Sequence, residues 1–247
     1  VIKKSIGFLP QGLGLSLAQE LSVEENVDYF AEINHVDGRE REERKGRLLA
    51  ATGLDSFRDR PAKNLSGGMK QKLALACTLM HEPPAIFLDE PTTGVDPISR
   101  REIWTLVNEM VKQDGLTVFL TTSYMDEAER CHEVVLMHRG RIIAQGSPSE
   151  LPGALDGSFA EIAVAGMEEQ QSALRALKKM PGIRSAYPLG EKIGCVYTET
   201  SCEAIRRYAE GEGARVESVS EASPCLEDVF LSKISEEGDA VDESALE

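Results

Sequence analysis

The sequence predicts an α/β fold with a parallel sheet, followed by a small α+β unit. Three observations carry this. Ala85-Ile86-Phe87-Leu88, bounded by Pro83-Pro84 and Pro91, is a short apolar run of the kind found in strands buried on both faces. Segments of helical periodicity stand between such runs. After residue 154 the order becomes β-α-β-β-α-β, the ferredoxin-like pattern.

The elements follow in order. Ile6-Gly7-Phe8-Leu9 is apolar and ends at Pro10-Gln11. Ser22-Val23-Glu24-Glu25 is a capping box, so a helix starts near Val23. Val27, Phe30 and Ala31 lie on one face of it, and Asp37-Gly38 breaks it. Residues 39–52 read as a charged amphipathic helix ending at Gly53, its Arg/Glu run a solvated face with i,i+4 pairs. Ser66 caps the next helix, and Met69, Leu73, Ala76, Cys77 and Met80 recur at helical spacing to face a core. Residues 97–113 form a helix carrying Ile103, Trp104, Val107 and Met110, and 117–122 a strand. Strands at 134–137 and 141–144 flank His138-Arg139-Gly140, and Gly146-Ser147-Pro148 closes this portion.

The second unit has strands at 159–164, 183–187, 193–197 and 214–219. A helix over 168–180 turns Ala173, Leu174 and Leu177 inward and stops at Pro181-Gly182. Thr200-Ser201-Cys202-Glu203 reads as a second capping box, and 226–231 as a short final helix. Six of the last thirteen residues are acidic, the composition of a disordered end. The expected organisation is 1–154, 155–234 and an acidic tail at 235–247.

A chain of 247 residues can hold more than one core. Acidic residues outnumber basic ones by 42 to 27, for a net charge of −15, which disfavours nucleic acid as a partner. The five cysteines have no metal-ligand spacing; Cys77, Cys131 and Cys195 read as small core residues in a reducing compartment. His35, His81, His132 and His138 are scattered and read as surface or structural. Neither a bilayer-length apolar run nor a secretory leader is found, so any membrane role is expected through a partner.

Two segments carry chemistry. At Ser66-Gly67-Gly68 the glycines let backbone N–H groups approach a ligand, and a helix N-terminus favours an anion. Asp89 and Glu90 end the 85–88 strand, where ligands gather on an open α/β sheet. One carboxylate can bind a hard cation such as Mg²⁺, and the other can orient or deprotonate a water.

In this order the segments resemble the ATP-binding-cassette ATPases. Leu65-Ser66-Gly67-Gly68-Met69-Lys70-Gln71 matches that family's signature motif, and Ile86-Phe87-Leu88-Asp89-Glu90-Pro91 its Walker B strand. Thr93-Gly94-Val95-Asp96 lies at the D-loop, and Pro10-Gln11 resembles the Q-loop. The resemblance implies two cassettes paired head to tail around two ATP molecules, as a homodimer or a heterodimer. Asp89 would help hold Mg²⁺, Glu90 would polarise the attacking water, and Gln11 would touch the metal and a transport partner. Ser66 and Gly68, with Gly67 and Gln71 of the same motif, would serve the ATP held by the other cassette. Asp96 would work at the dimer seam. The Leu226-Glu227-Asp228-Val229-Phe230 tail and the 122–131 stretch look most like bacterial drug- or polymer-type exporters, so a separate transmembrane permease is the expected partner. The place implied is cytoplasmic, peripheral on the inner face of the membrane.

Two departures stand out. No Gly-x-x-x-x-Gly-Lys-Ser/Thr phosphate loop occurs in the sequence. Truncation before that loop, or a misassigned start, is the expectation, and this polypeptide alone is expected to be inactive. Second, Thr122-Ser123-Tyr124 puts Ser123 where the family has a His that senses the γ-phosphate. A serine hydroxyl is shorter and carries no positive charge near neutral pH. The reading is therefore an ATP-hydrolysing exporter subunit; its alternative is a degenerate, non-catalytic cassette that only completes a partner's ATP site.

Overall fold

A computed structural model describes residues 5–236. They form two compact units that meet in sequence between Ser123 and Tyr124.

The first unit opens with β1 (Ile6–Leu9) and then three helices, α1 (Val23–Ile33), α2 (Gly38–Ala51) and α3 (Gly67–Leu79). β2 (Ala85–Asp89), α4 (Pro97–Asp114) and β3 (Thr117–Thr121) complete it. The strands form a parallel sheet in the order β1-β2-β3. Parallel neighbours need a crossover, and the helices between the strands supply it.

Local chemistry sets the helix starts. At α1 the Ser22 hydroxyl accepts from the Glu25 N–H at 3.2 Å, and Glu25 accepts from the Ser22 N–H at 2.7 Å, the capping box expected from sequence. Ser66 caps α3 by accepting from the Met69 N–H at 3.2 Å. α4 ends at Gly115, whose φ of 66° is a left-handed stop. The core gathers Leu9, Ile86 and Leu88 from the sheet with Leu73, Cys77, Ile103 and Val107 from the helices. α1 and α2 are joined by Lys45, whose ammonium lies 3.1 Å from Glu24, 2.9 Å from Asp28 and 3.0 Å from Glu42. Burial works against that charge, but the hydrogen bonds the ammonium donates to the three carboxylates outweigh it and hold it above the usual lysine range.

The sheet departs from expectation on one side. Side chains alternate along a strand, so Ile86 and Leu88 face the core while Phe87 faces away. Phe8, Phe87 and Phe119 are paired across the three strands and are 60%, 37% and 59% exposed. β2 is thus covered on one face rather than both among the described residues.

The second unit begins with α5 (Met125–Ala128) and a hairpin of β4 (Val134–His138) and β5 (Arg141–Gly146). Its turn puts Arg139 and Gly140 at φ 47° and 76°, the left-handed pair of a type I′ turn. Then come β6 (Ser158–Val164), α6 (Met167–Leu177), β7 (Ile183–Leu189), β8 (Lys192–Tyr197), α7 (Cys202–Gly211), β9 (Val216–Glu221) and α8 (Leu226–Glu236). The β-α-β-β-α-β order is the one read from the sequence. These four strands form an antiparallel sheet in the order β7-β8-β6-β9. One core packs Ala173 and Leu177 of α6 and Ile205 of α7 with the sheet. Another joins Ala128, Val134, Leu136 and Leu151 to Leu226 and Val229 of α8. α8 is also tied to β7 by a buried Ser185–Ser232 hydroxyl pair at 2.7 Å and by the Tyr187 hydroxyl, which donates to the Asp228 carbonyl at 3.2 Å.

Three details differ from expectation. α7 is capped by Ser201, whose hydroxyl accepts from the Ala204 N–H at 3.3 Å, so the cap lies one residue later than the capping box placed it. α8 runs on to Glu236 rather than stopping at Leu231. The acidic end from residue 237 lies outside the described residues. Cys77 and Cys195 are buried as expected, while Cys131 is half-buried.

Candidate functional site

Asp89 is the last residue of β2, and Glu90 leaves the strand with φ 47°. A glutamate in the left-handed region is strained and persists where its surroundings over-determine it. Here the Glu90 N–H donates to the carbonyl and to the hydroxyl of Thr121, both at 3.2 Å. The same Thr121 hydroxyl donates to Asp89 Oδ1 at 2.6 Å. This follows from register, because Asp89 pairs with Thr121 across β2 and β3.

The Glu90 carboxylate turns toward two further hydroxyls. Thr93 Oγ1 donates to Glu90 Oε2 at 3.0 Å, and the Ser123 N–H and hydroxyl approach the same oxygen at 3.4 Å. Ser123, singled out for replacing a histidine, thus stands beside the candidate water-orienting group. Gln11 is exposed and follows β1, whose Leu9 pairs with Leu88. The register therefore brings Gln11 to the same carboxyl end of the sheet as Asp89 and Glu90.

A second cluster forms at the N-termini of α3 and α4. Asp96 caps α4, accepting from the Ser99 N–H at 3.0 Å and the Ile98 N–H at 3.1 Å. The Ser99 backbone N–H, then the Ser99 hydroxyl, hold the Asp96 carboxyl below the usual carboxylate range. Gly68 packs against this cap: a β-carbon there would lie 2.2 Å from Ser99 Oγ and 3.1 Å from Asp96 Oδ2. A β-carbon on Gly67 would lie 2.9 Å from Leu13 Cδ1. Ser66 and Asp96 are exposed, so the two helix starts present one polar edge.

Gln71 does not join that edge. It is 2% exposed, so its side chain faces the interior of the first unit. Helical geometry accounts for this, since Gln71 lies three residues past the buried Gly68 and three before the buried Ala74, on the face that carries the core. Sequence reasoning missed Thr121, Thr93 and Ser99. The only signal for them was a hydroxyl near a strand end or a helix start.

Mg²⁺ usually takes one or two carboxylates together with substrate phosphates and waters. Asp89 fits that demand: Thr121 occupies Oδ1, and among the described residues Oδ2 has no protein donor. No group of three or more His, Cys, Asp or Glu suited to an all-protein metal cage occurs among the described residues.

Comparison with known proteins identifies the family. The ABC transporter family profile matches residues 1–93. The chain is 38% identical over 227 residues to the probable multidrug ABC transporter ATP-binding protein YbhF of Escherichia coli (strain K12), covering 92% of this chain and 38% of that protein. It is 37% identical over 232 residues to the Nod factor export ATP-binding protein I of Rhizobium sp. (strain N33), covering 93% of this chain and 72% of that protein. Among solved structures, cbiO1 from Clostridium perfringens, described as part of the ABC transporter complex cbiONQ, superposes with a TM-score of 0.56 at 35% identity. That match covers 62% of this chain and 61% of cbiO1. The dimeric ATP-binding cassette MJ0796, bound to ADP and Pi, gives a TM-score of 0.53 at 27% identity, covering 59% of this chain and 64% of that one. The fold is that of an ATP-binding-cassette ATPase domain. The chain belongs to the family of ABC transporter ATP-binding proteins, with drug-resistance and export proteins among its relatives. It spans well under half the length of YbhF.

Proposed function

We propose that this chain is the ATP-binding and hydrolysing subunit that powers a membrane exporter through cassette pairing. The observation that carries the reading is the Asp89–Glu90 pair at the carboxyl end of a parallel strand, with the Thr121, Thr93 and Ser123 hydroxyls arranged around it. Asp89 offers Oδ2 to Mg²⁺, and Gln11 lies at the same end of the sheet. Mg²⁺, when bound, neutralises charge that develops on the phosphoryl oxygens. Glu90 holds one carboxylate oxygen against Thr93 and turns the other to orient the attacking water. Ser66, Gly67 and Gly68 face the ATP of a second cassette with backbone N–H groups and the dipole of α3. Asp96 lies at that seam.

The nucleotide-binding portion extends through residue 154, and 155–234 is an extension for packing or regulation. No described helix is long and apolar enough to cross a membrane. In this reading a separate transmembrane permease carries the transport, with this chain on its cytoplasmic side. A non-catalytic cassette that completes a partner's ATP site is the second reading. Ser123 favours it.

ATPase measurements on the full-length gene product, with and without Ser123→His, separate the two. Turnover that Ser123→His preserves or raises supports catalysis, and no turnover in either form overturns it. Titrated alone, the 247-residue chain is expected to bind ATP weakly; tight binding would contradict the role given to the phosphate loop.

A further inference from the structure

We propose that Thr121 is a positioning residue that sets the Asp89 and Glu90 carboxylates relative to each other; the proposal rests on the ATP-site reading above. One hydroxyl serves both groups. It donates to Asp89 Oδ1 at 2.6 Å and accepts from the Glu90 N–H at 3.2 Å. The two bonds are compatible, since a hydroxyl has one proton and two lone pairs. Donation to Oδ1 fixes the plane of the Asp89 carboxylate and leaves Oδ2 for a cation. Acceptance from the Glu90 N–H, shared with the Thr121 carbonyl at 3.2 Å, holds Glu90 in its left-handed conformation. That conformation carries the Glu90 side chain toward Thr93 and Ser123. Thr121 thus acts on a metal ligand and on a water-orienting residue through a single oxygen, and touches neither metal nor substrate. Partners of this kind change metal affinity by about 10–100-fold when removed.

The test uses the full-length gene product as wild type, Thr121→Val and Thr121→Ser. Mn²⁺ stands in for Mg²⁺, and its binding with ATP is read by electron paramagnetic resonance. Hydrogen exchange of the Glu90 amide is followed in the same proteins without nucleotide. Thr121→Val is expected to raise the Mn²⁺ concentration for half-saturation about tenfold and to speed Glu90 exchange. Thr121→Ser keeps the hydroxyl and is expected to stay near wild type in both. If valine disturbs folding, Thr121→Ala carries the same expectation. An unchanged Mn²⁺ half-saturation in the variant without the hydroxyl overturns the proposal while leaving the ATP site in place. Equal losses in the serine and valine variants overturn it too, since packing would then be the cause. A wild-type protein that binds no Mn²⁺ with ATP overturns the ATP-site reading itself, and that failure is seen before any substitution is made.

Discussion

Ser99 stands so close to Gly68 that a β-carbon on the glycine would lie 2.2 Å from the serine hydroxyl and 2.4 Å from its β-carbon. The contact joins the first turns of α3 and α4. Gly68→Ala is therefore expected to destabilise the first unit by about 1–3 kcal/mol, the usual cost of overpacking. Ser99→Gly in the same chain should recover part of that loss, because both clashing atoms leave. Urea unfolding of the two single variants and the double variant checks this; additive losses would contradict the contact.

Lys45 offers a second stability test. Its side chain is 5% exposed, while Glu24, Asp28 and Glu42 are 32%, 34% and 65% exposed. Removing the buried cation leaves three carboxylates without their shared partner. Lys45→Ala is expected to cost about 2 kcal/mol, below the range for a fully buried pair because solvent screens the partners. Glu42→Ala should cost less than about 0.5 kcal/mol. Equal losses on thermal denaturation would mean that burial of Lys45 does not matter.

The seam between α8 and β7 tests how a buried polar pair behaves. Ser185→Ala or Ser232→Ala alone leaves one hydroxyl without its partner and is expected to cost about 1–2 kcal/mol. The double alanine variant removes both polar groups and should cost less than the sum. Chemical denaturation followed by circular dichroism gives the three values.

Burial, with the Arg44 guanidinium in support, depresses the His81 imidazolium. The folded pKa lies below the unfolded value, so the folded state binds fewer protons. The stability linked to His81 is present above about pH 6.5 and is lost as pH falls through the folded value. The melting temperature is expected to drop between about pH 7 and about pH 5, and to drop less in His81→Gln. Parallel pH profiles for the two proteins would contradict this.

Much of the fold was legible because its signals are local. Ser22 and Glu25 announce α1 by spacing alone, and Asp89 and Glu90 stand out because carboxylates beside an apolar strand are costly without partners. What escaped depends on tertiary register. Nothing near Thr121 in the chain says that it pairs with Asp89. The left-handed Glu90 follows from hydrogen bonds to a strand whose partner lies 31 residues away. Gln71 belongs by sequence to the same motif as Ser66, but one helical turn carried it into the core. Phe87 reads as core by hydropathy, whereas strand alternation puts it on the opposite face from Ile86 and Leu88.

The pairing of Asp89 with Thr121 makes the sheet a ruler as well as a scaffold. In a strand, a shift of one position turns every side chain to the other face. A slip of β3 by one position against β2 would bring a neighbour opposite Asp89 and point the Thr121 hydroxyl away from both carboxylates. The short Gly115-Leu116 link is therefore held in kind as well as in length, since Gly115 takes a left-handed φ of 66° and Leu116 is buried in the core.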